Sequence, residues 1–499
     1  MSKYVMALDL GTTGNRAILF NQAGDIVGQA YRELTQYYPQ PGWVEHDATE
    51  IWEQVQWAMK TAIGEANISA SDIAAIGLTV QRETCLLWDK TTGKPLHRAI
   101  VWQDRRTADM CAKLTDHKAD IYERSGLFLD AYFSGTKLRW LLDKVQPQLS
   151  GKGLDNVLAG TIDTWALWNL TDGKVHATDH SNASRTLLMN LATQQWDKTL
   201  LDLFGVPQSV LAEIKPSQGI FGYTDPSLLG VEIPIAAILG DQQAALFAHG
   251  CDRPGLLKCT YGTGAFLVAH TGKEIVRSHN QLLSTISWTT AKKDGGYDLG
   301  YGLEGSMFTA GACIQWLRDG LQIIDSAADS EPLAASVEDN GGVYFVPALS
   351  GLGAPHWDMG ARGAFLGLTR GATKAHMVRS VLEAIANQAR EVVMAINDDS
   401  GTPITTLKVD GGACQNDFLI QYQADVLGIP VERPAVLDAT AQGSAFAAGL
   451  AVGFWDDYTA LVNSRKIDKT FEPGKGQKAA QENFEIWQRA LERAKEWIV

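Results

Sequence analysis

No Gly-x4-Gly-Lys-Ser/Thr loop occurs anywhere in the 499 residues, which excludes a P-loop nucleotide hydrolase. The His-Arg-Asp set of the protein kinases and the His-Glu-x-x-His zinc helix are missing too. Cysteine is scarce. Cys85, Cys111, Cys251, Cys259, Cys313 and Cys414 form no Cys-x-x-Cys pair and are far too few for a disulfide scaffold. They read as reduced thiols of a cytoplasmic protein. Positive charge is in deficit, with a formal net charge of -14. A field of that sign repels nucleic acid and anionic membrane, so neither is expected as a partner. The first apolar run, Tyr4–Leu8, is stopped by Asp9, too early for a signal peptide or a membrane span.

What the chain does have is apolar material, 45% of its residues, against 20% charged. That balance builds large cores and excludes disorder. The length allows roughly two to four domains. An internal echo narrows this. Tyr4–Leu8 runs into Asp9 and Gly11-Thr12-Thr13, then Ala17–Phe20, a turn at Gly24 and Ile26-Val27. This spacing predicts a strand, tight loop, strand, turn and strand. Leu256–Thr260, Gly262-Thr263-Gly264, Phe266–Ala269 and Gly272 repeat the design. Each meander is followed by a buried strand, Ile73–Val80 opening on Gln81-Arg82-Glu83 and Thr406–Asp410 opening on Gly411-Gly412. Helical periodicity precedes both, near 50–63 and 377–396. Two α/β domains of similar design are expected, 1–249 and 250–499, with the boundary near residues 245–255. A single surface helix is expected over Gln477–Ile498.

The two Gly-Thr loops offer a route to phosphate that does not need a P-loop. Glycine lets the backbone approach and turn its N–H groups outward, and threonine adds a hydroxyl donor. Asp9, at a strand end beside the first loop, is placed to hold Mg2+ through water. Arg16 is placed to neutralise a transferring phosphoryl group. A lone Gly-Thr-Gly between strands is usually a plain hairpin, and only the matched pair suggests a clamp on a polyphosphate. Asp241 alone would read as a helix cap, Arg82-Glu83 as a surface ion pair, and Trp102, Tyr132 and Phe266 as core aromatics. His46, His176 and His180 lack a third ligand for a metal.

Two longer stretches carry a resemblance. Tyr132–Trp140, and Gly363–Leu368 with His376-Met377, Ser380 and Glu383, are similar to the two signatures of the FGGY carbohydrate kinases. The resemblance spans essentially the whole chain. It implies two ribonuclease-H-like domains of the actin/Hsp70-like ATPase fold with an interdomain cleft. The motifs at Gln81–Thr84, Val101–Gln103, Ala131–Phe133, Gly240–Gln243 and Tyr261–Phe266 are similar to those of members acting on glycerol. By that resemblance Arg82, Glu83, Tyr132, Asp241 and Gln242 contact glycerol hydroxyls, and Trp102 and Phe266 pack on its carbon face. Asp241 is the catalytic base. Thr12, Thr13, Gly14, Arg16, Thr263, Gly264, Gly311, Gln315, Gly412 and Asn416 bind ATP, and Asp9 binds Mg2+. A kinase for xylulose, dihydroxyacetone or another small polyol or ketose stays open, as does a non-metabolic actin-like ATPase. So does assembly as a homodimer or homotetramer. Leu10 and Gly14-Asn15 depart from the glycerol-type pattern. The segment Asp225–Pro234 has neither the Arg-bearing Gly-rich loop nor the phosphorylatable His through which some relatives are regulated.

Overall fold

The computed structural model describes residues 3–149 and 153–498. Its spine is a sheet of thirteen strands. In the first half these are β1 (Tyr4–Leu10), β2 (Gly14–Phe20), β3 (Ile26–Glu33), β4 (Ile73–Val80), β5 (Gln218–Tyr223) and β6 (Pro234–Gly240). The second half supplies β7 (Leu256–Tyr261), β8 (Ala265–Gly272), β9 (Leu283–Ala291), β10 (Tyr297–Met307), β11 (Thr406–Asp410), β12 (Val431–Pro434) and β13 (Ile467–Phe471). The order across the sheet is 13-12-11-7-8-10-9-5-6-4-1-2-3.

The echo in the sequence is an echo in topology. β3-β2-β1 is an antiparallel meander that β4 and β6 extend in parallel. In the second half β10-β8-β7 is antiparallel, and β11 and β12 continue in parallel. The halves meet where β5 pairs with β9 at one position, Gln218 with Thr290. β1 and β4 are buried on both faces, so they read as near-continuous apolar runs rather than alternating ones.

Helices cover the faces. α1 (Ala48–Ala66) starts where the Asp47 side chain accepts from the backbone N–H of Thr49 and Glu50, and it ends at Asn67 in the left-handed region. Its buried stripe of Ile51, Val55, Ala58, Met59 and Ala62 has helical spacing. α2 (Asp241–Ala248) leaves the end of β6. α3 (Lys374–Ser400), α4 (Asp417–Leu427) and α6 (Gln477–Ala494) enclose the second core with β7 and β11. The C-terminal helix stops at Ala494, four residues short of the expected Ile498.

α5 (Ala439–Ala451) crosses the expected division of the chain. It belongs to the second half by sequence but packs on β1 and β4 of the first. A Cβ on Gly77 of β4 would lie 2.0 Å from the Ser444 carbonyl oxygen, so this approach requires glycine. The link 249–255 is likewise anchored rather than loose. His249 is buried, its Nε2–H donates to Asp410 Oδ2 at 2.6 Å, and Arg465 donates to its Nδ1 at 3.3 Å. Lys408 Nζ caps its carbonyl at 2.9 Å. One ring nitrogen donating and the other accepting is the neutral imidazole. Burial also holds His249 down to about 4 from an ordinary 6.5.

The unfolded chain therefore takes up a proton below pH 6.5 that the folded chain refuses, and folded stability falls as pH drops through this window. A His249→Gln variant has no such titration. The wild type's stability advantage over it should shrink by about 1.4 kcal/mol per pH unit below pH 6.5. Urea melts of both proteins at pH 7.5, 6 and 5 measure this, and a constant difference would contradict it.

Candidate active site

The chemistry-bearing residues gather where parallel strands end, the usual place for a ligand crevice in such sheets. Asp9 closes β1, Gln81-Arg82-Glu83 follows β4, Asp241 follows β6, and Thr260 and Gly262–Gly264 lie at the end of β7. Together they line a cavity of about 470 Å³. Of the residues expected from the sequence, Asp9, Thr12, Thr13, Arg16, Arg82, Glu83, Trp102, Tyr132, Asp241, Gln242, Thr263, Gly264 and Phe266 all face it.

At one end the walls are aromatic. Trp102 stands edge-on to Tyr132 (5.5 Å between centroids) and to Phe266 (6.1 Å). Trp102 also donates from Nε1 to Thr12 Oγ1 at 2.9 Å, joining the aromatic wall to the first Gly-Thr loop. Lys137 fixes that wall from behind. Its buried ammonium donates to the carbonyls of Trp102 (3.1 Å) and Tyr132 (2.9 Å), and burial lowers its pKa to about 8.

Polar groups face these rings. Arg82 and Glu83 are each 2% exposed, so the surface ion-pair reading of them fails. Arg82 Nε lies 3.3 Å from Asp241 Oδ1. Glu83 has φ +63 inside a three-residue turn closed by Thr84 N–H to the Arg82 carbonyl at 2.7 Å. Such a turn is strained for a non-glycine residue and needs surrounding support. Ser134 provides some by donating to the Glu83 carbonyl at 2.8 Å. Lys258, buried on β7, donates to Gln242 Oε1 and to Thr260 Oγ1. This turns the acceptor end of the Gln242 amide away from any ligand.

The other end holds the Gly-Thr loops with Asp9 and Arg16. Asp9 is buried, and desolvation raises its pKa against the pull of Arg16. Thr440 donates to Asp9 Oδ2 at 3.1 Å and Arg16 Nε lies 3.3 Å away. Arg16 also pairs with Asp438, so the start of α5 supplies both polar partners here.

Five expected ATP contacts lie outside this cavity. Gly14 backs onto the sheet, where a Cβ would stand 2.5 Å from the Tyr31 ring, so packing explains it. The Gly311 N–H is taken by the Gly262 carbonyl at 3.0 Å. Gln315 is exposed at the end of its short helix. Gly412 is open, with no atom within 4 Å of a would-be Cβ. Asn416 caps α4, its Oδ1 accepting from Leu419 N–H and its Nδ2 donating to Ser330. Gly311 and Gly412 still flank the second Gly-Thr loop, because Gly411 abuts the Tyr261 carbonyl.

His46, His176 and His180 each bond to other side chains or the backbone: His46 to Gln36 and Gln81, His176 to the Ala159 carbonyl and His180 to Thr289. Among the described residues no group of three or more His, Cys, Asp or Glu is placed to hold an ion. No described helix is long and apolar enough to cross a membrane. Sequence reasoning missed Thr260, Thr440, Gln36, Tyr38 and Phe308 in the cavity wall, and Arg185, Lys258 and Glu304 behind it.

Two matched half-sheets, each with a Gly-Thr loop lining one cavity, have the architecture of the actin/Hsp70-like ATPase fold. The comparisons make this specific. Residues 4–248 match the N-terminal domain of the FGGY family of carbohydrate kinases and residues 257–452 match its C-terminal domain. The chain belongs to that family. It is 72% identical to a glycerol kinase of Acaryochloris marina over 496 residues, covering 99% of each chain. It is 67% identical to one of Nostoc sp., covering 100% of this chain and 99% of the relative. A crystal structure of Plasmodium falciparum glycerol kinase with ADP superposes with a TM-score of 0.90 at 33% identity, covering 98% of each chain. A xylulose kinase from Lactobacillus acidophilus, 20% identical with a TM-score of 0.88 over 98% of each chain, shares the fold.

Proposed function

We propose that this chain transfers the γ-phosphoryl group of ATP to a primary hydroxyl of glycerol, giving sn-glycerol 3-phosphate for glycerol catabolism and glycerolipid metabolism. The carrying observation is the small chamber in which Trp102, Tyr132 and Phe266 face Arg82, Glu83, Asp241 and Gln242. A triol offers three hydroxyls and one thin apolar edge, which charged and amide groups on one side and rings on the other satisfy. The glycerol kinases at high identity support the same substrate.

Asp241 is the base. It stands at the mouth of the chamber, 29% exposed, with Arg82 Nε holding one carboxylate oxygen. A glycerol hydroxyl against it loses its proton as the oxygen attacks the γ-phosphorus in line with the departing ADP oxygen. Thr12, Thr13 and Thr263 donate to phosphate oxygens, and Arg16 offsets the charge spread over the transferring group. Closing the cleft excludes water and so suppresses ATP hydrolysis.

Asp9 fits Mg2+. It is a buried carboxylate whose pKa desolvation raises despite Arg16 and Thr440, and it opens on a cavity with room for coordinating water. Bound there, Mg2+ would screen the β- and γ-phosphate oxygens. The six unpaired thiols support a cytoplasmic location.

A coupled ADP-release assay over a panel of polyols tests the substrate. Glycerol should give the highest kcat/KM, and 1,2-propanediol, which strands one polar partner, should lose roughly 10²-fold or more. Efficient turnover of xylulose with poor turnover of glycerol would reject the assignment.

A further inference from the structure

Behind Arg82 and Glu83 lies a buried ion network that no expected site residue accounts for. Glu304, on β10 of the second half, is 0% exposed. It grips Arg82 with both oxygens, Oε2 to Nη1 at 2.6 Å and Oε1 to Nη2 at 2.9 Å. Oε1 also accepts from Arg185 Nη2 at 3.0 Å. Arg185, likewise 0% exposed, then donates from Nε to Glu83 Oε1 at 2.7 Å. Two cations and two anions are thereby closed into one neutral chain.

We propose that Glu304 and Arg185 are positioning residues that determine affinity for the polyol, by fixing the forked face of Arg82 and the strained turn at Glu83. Arg82 and Glu83 line the chamber and are both held from behind in this network. Arg82 spends both terminal nitrogens on Glu304, leaving Nε toward Asp241. Glu83 sits at φ +63, a conformation that persists only where its surroundings impose it, and Arg185 is the ion partner pulling its carboxylate into place. The bidentate fork adds orientation as well as energy. Burial disfavours the charge on Glu304, but Arg185 and Arg82 overcome it and hold its pKa down to about 2, whereas at Glu83 burial outweighs Arg82 and Arg185 and raises the pKa. Opposite Glu304 on β8 stands Val268, two residues beyond Phe266. One ladder thus places the aromatic wall and the anchor of its polar counterpart.

This inference rests on the glycerol assignment, and the test separates the two. Wild-type turnover of glycerol checks the assignment. Glu304→Gln keeps the shape and removes the charge. Its KM for glycerol should rise by roughly 10- to 100-fold, the worth of a charge-assisted pair, with KM for ATP within about twofold of wild type. A structural strut would lower thermal stability and leave the ratio of the two KM values unchanged, which would overturn the proposal. If Glu304→Gln does not fold, Arg185→Lys keeps the charge without the fork. It should raise glycerol KM by roughly three- to tenfold at unchanged KM for ATP. An unchanged glycerol KM in that variant would also overturn the proposal, as would restoration of the Glu304→Gln defect by nothing more than a stabilising osmolyte.

Discussion

Replacing Asp241 with Asn should lower kcat by roughly 10²- to 10⁴-fold while glycerol still binds. The substitution keeps the shape. Asn can still accept from the Gln242 N–H, as the carboxylate does at 2.7 Å, and can still face Arg82 Nε at 3.3 Å. What it loses is the ability to take the hydroxyl proton. This separates catalysis from the reading in which Asp241 merely caps α2. Asp and Asn are nearly equal at helix N-termini, so a capping role predicts almost no change. Single-turnover kinetics give the chemical step, and titration calorimetry gives glycerol affinity, which should stay within severalfold of wild type. Substantial retained turnover would remove Asp241 as the base.

How much of this was legible in the sequence depended on range. Ile73–Val80 and Thr406–Asp410 are strands over the residues that their apolar runs marked. Gly11-Thr12-Thr13 was visible as a Gly-Thr cluster between two apolar runs. The long helix read at 377–396 begins at Lys374 and ends at Ser400, the ordinary error of a boundary set by caps rather than periodicity. Glu304 had no local signal. It lies in an eleven-residue strand, and its partners are 222 and 119 positions away. Thr440 and Asp9 are 431 positions apart, so nothing short of the crossover by α5 could bring them together. The family motifs named candidate contacts, and none of them named the supports behind them. Asn416 shows the converse. Followed by Asp417 and an apolar run, it carries a helix-start signal, and the structure uses it as a cap.

Gly443→Ala should be among the most damaging small substitutions in the chain. Helix α5 is wedged between β4 and α2. Its Gly443 faces α2 so closely that a Cβ would lie 1.8 Å from the Ala244 carbonyl oxygen and 2.6 Å from its carbon. Both are backbone atoms, so no side chain can swing aside, and on the other face Gly77 leaves no slack against Ser444. Alanine gains roughly 1 kcal/mol of helix propensity over glycine. Overpacking that forces backbone apart costs about 3 kcal/mol at the upper end and should outweigh this, for a net loss of about 2 kcal/mol. Function should fall with it. The first turn of α2 carries Asp241, and the start of α5 carries Asp438 and Thr440 against Arg16 and Asp9. Parting the two helices therefore moves the base and the phosphate end relative to each other, and kcat should drop even at temperatures where the variant is fully folded. Gly64→Ala is the control. Gly64 is exposed in α1 with nothing within 4 Å of its Cβ position, so the same chemical change there should stabilise by roughly 0.5 to 1 kcal/mol and leave kcat alone. Equal effects at the two positions, by calorimetry and steady-state assay, would mean that the helix crossing at Gly443 does not set the geometry of the cleft.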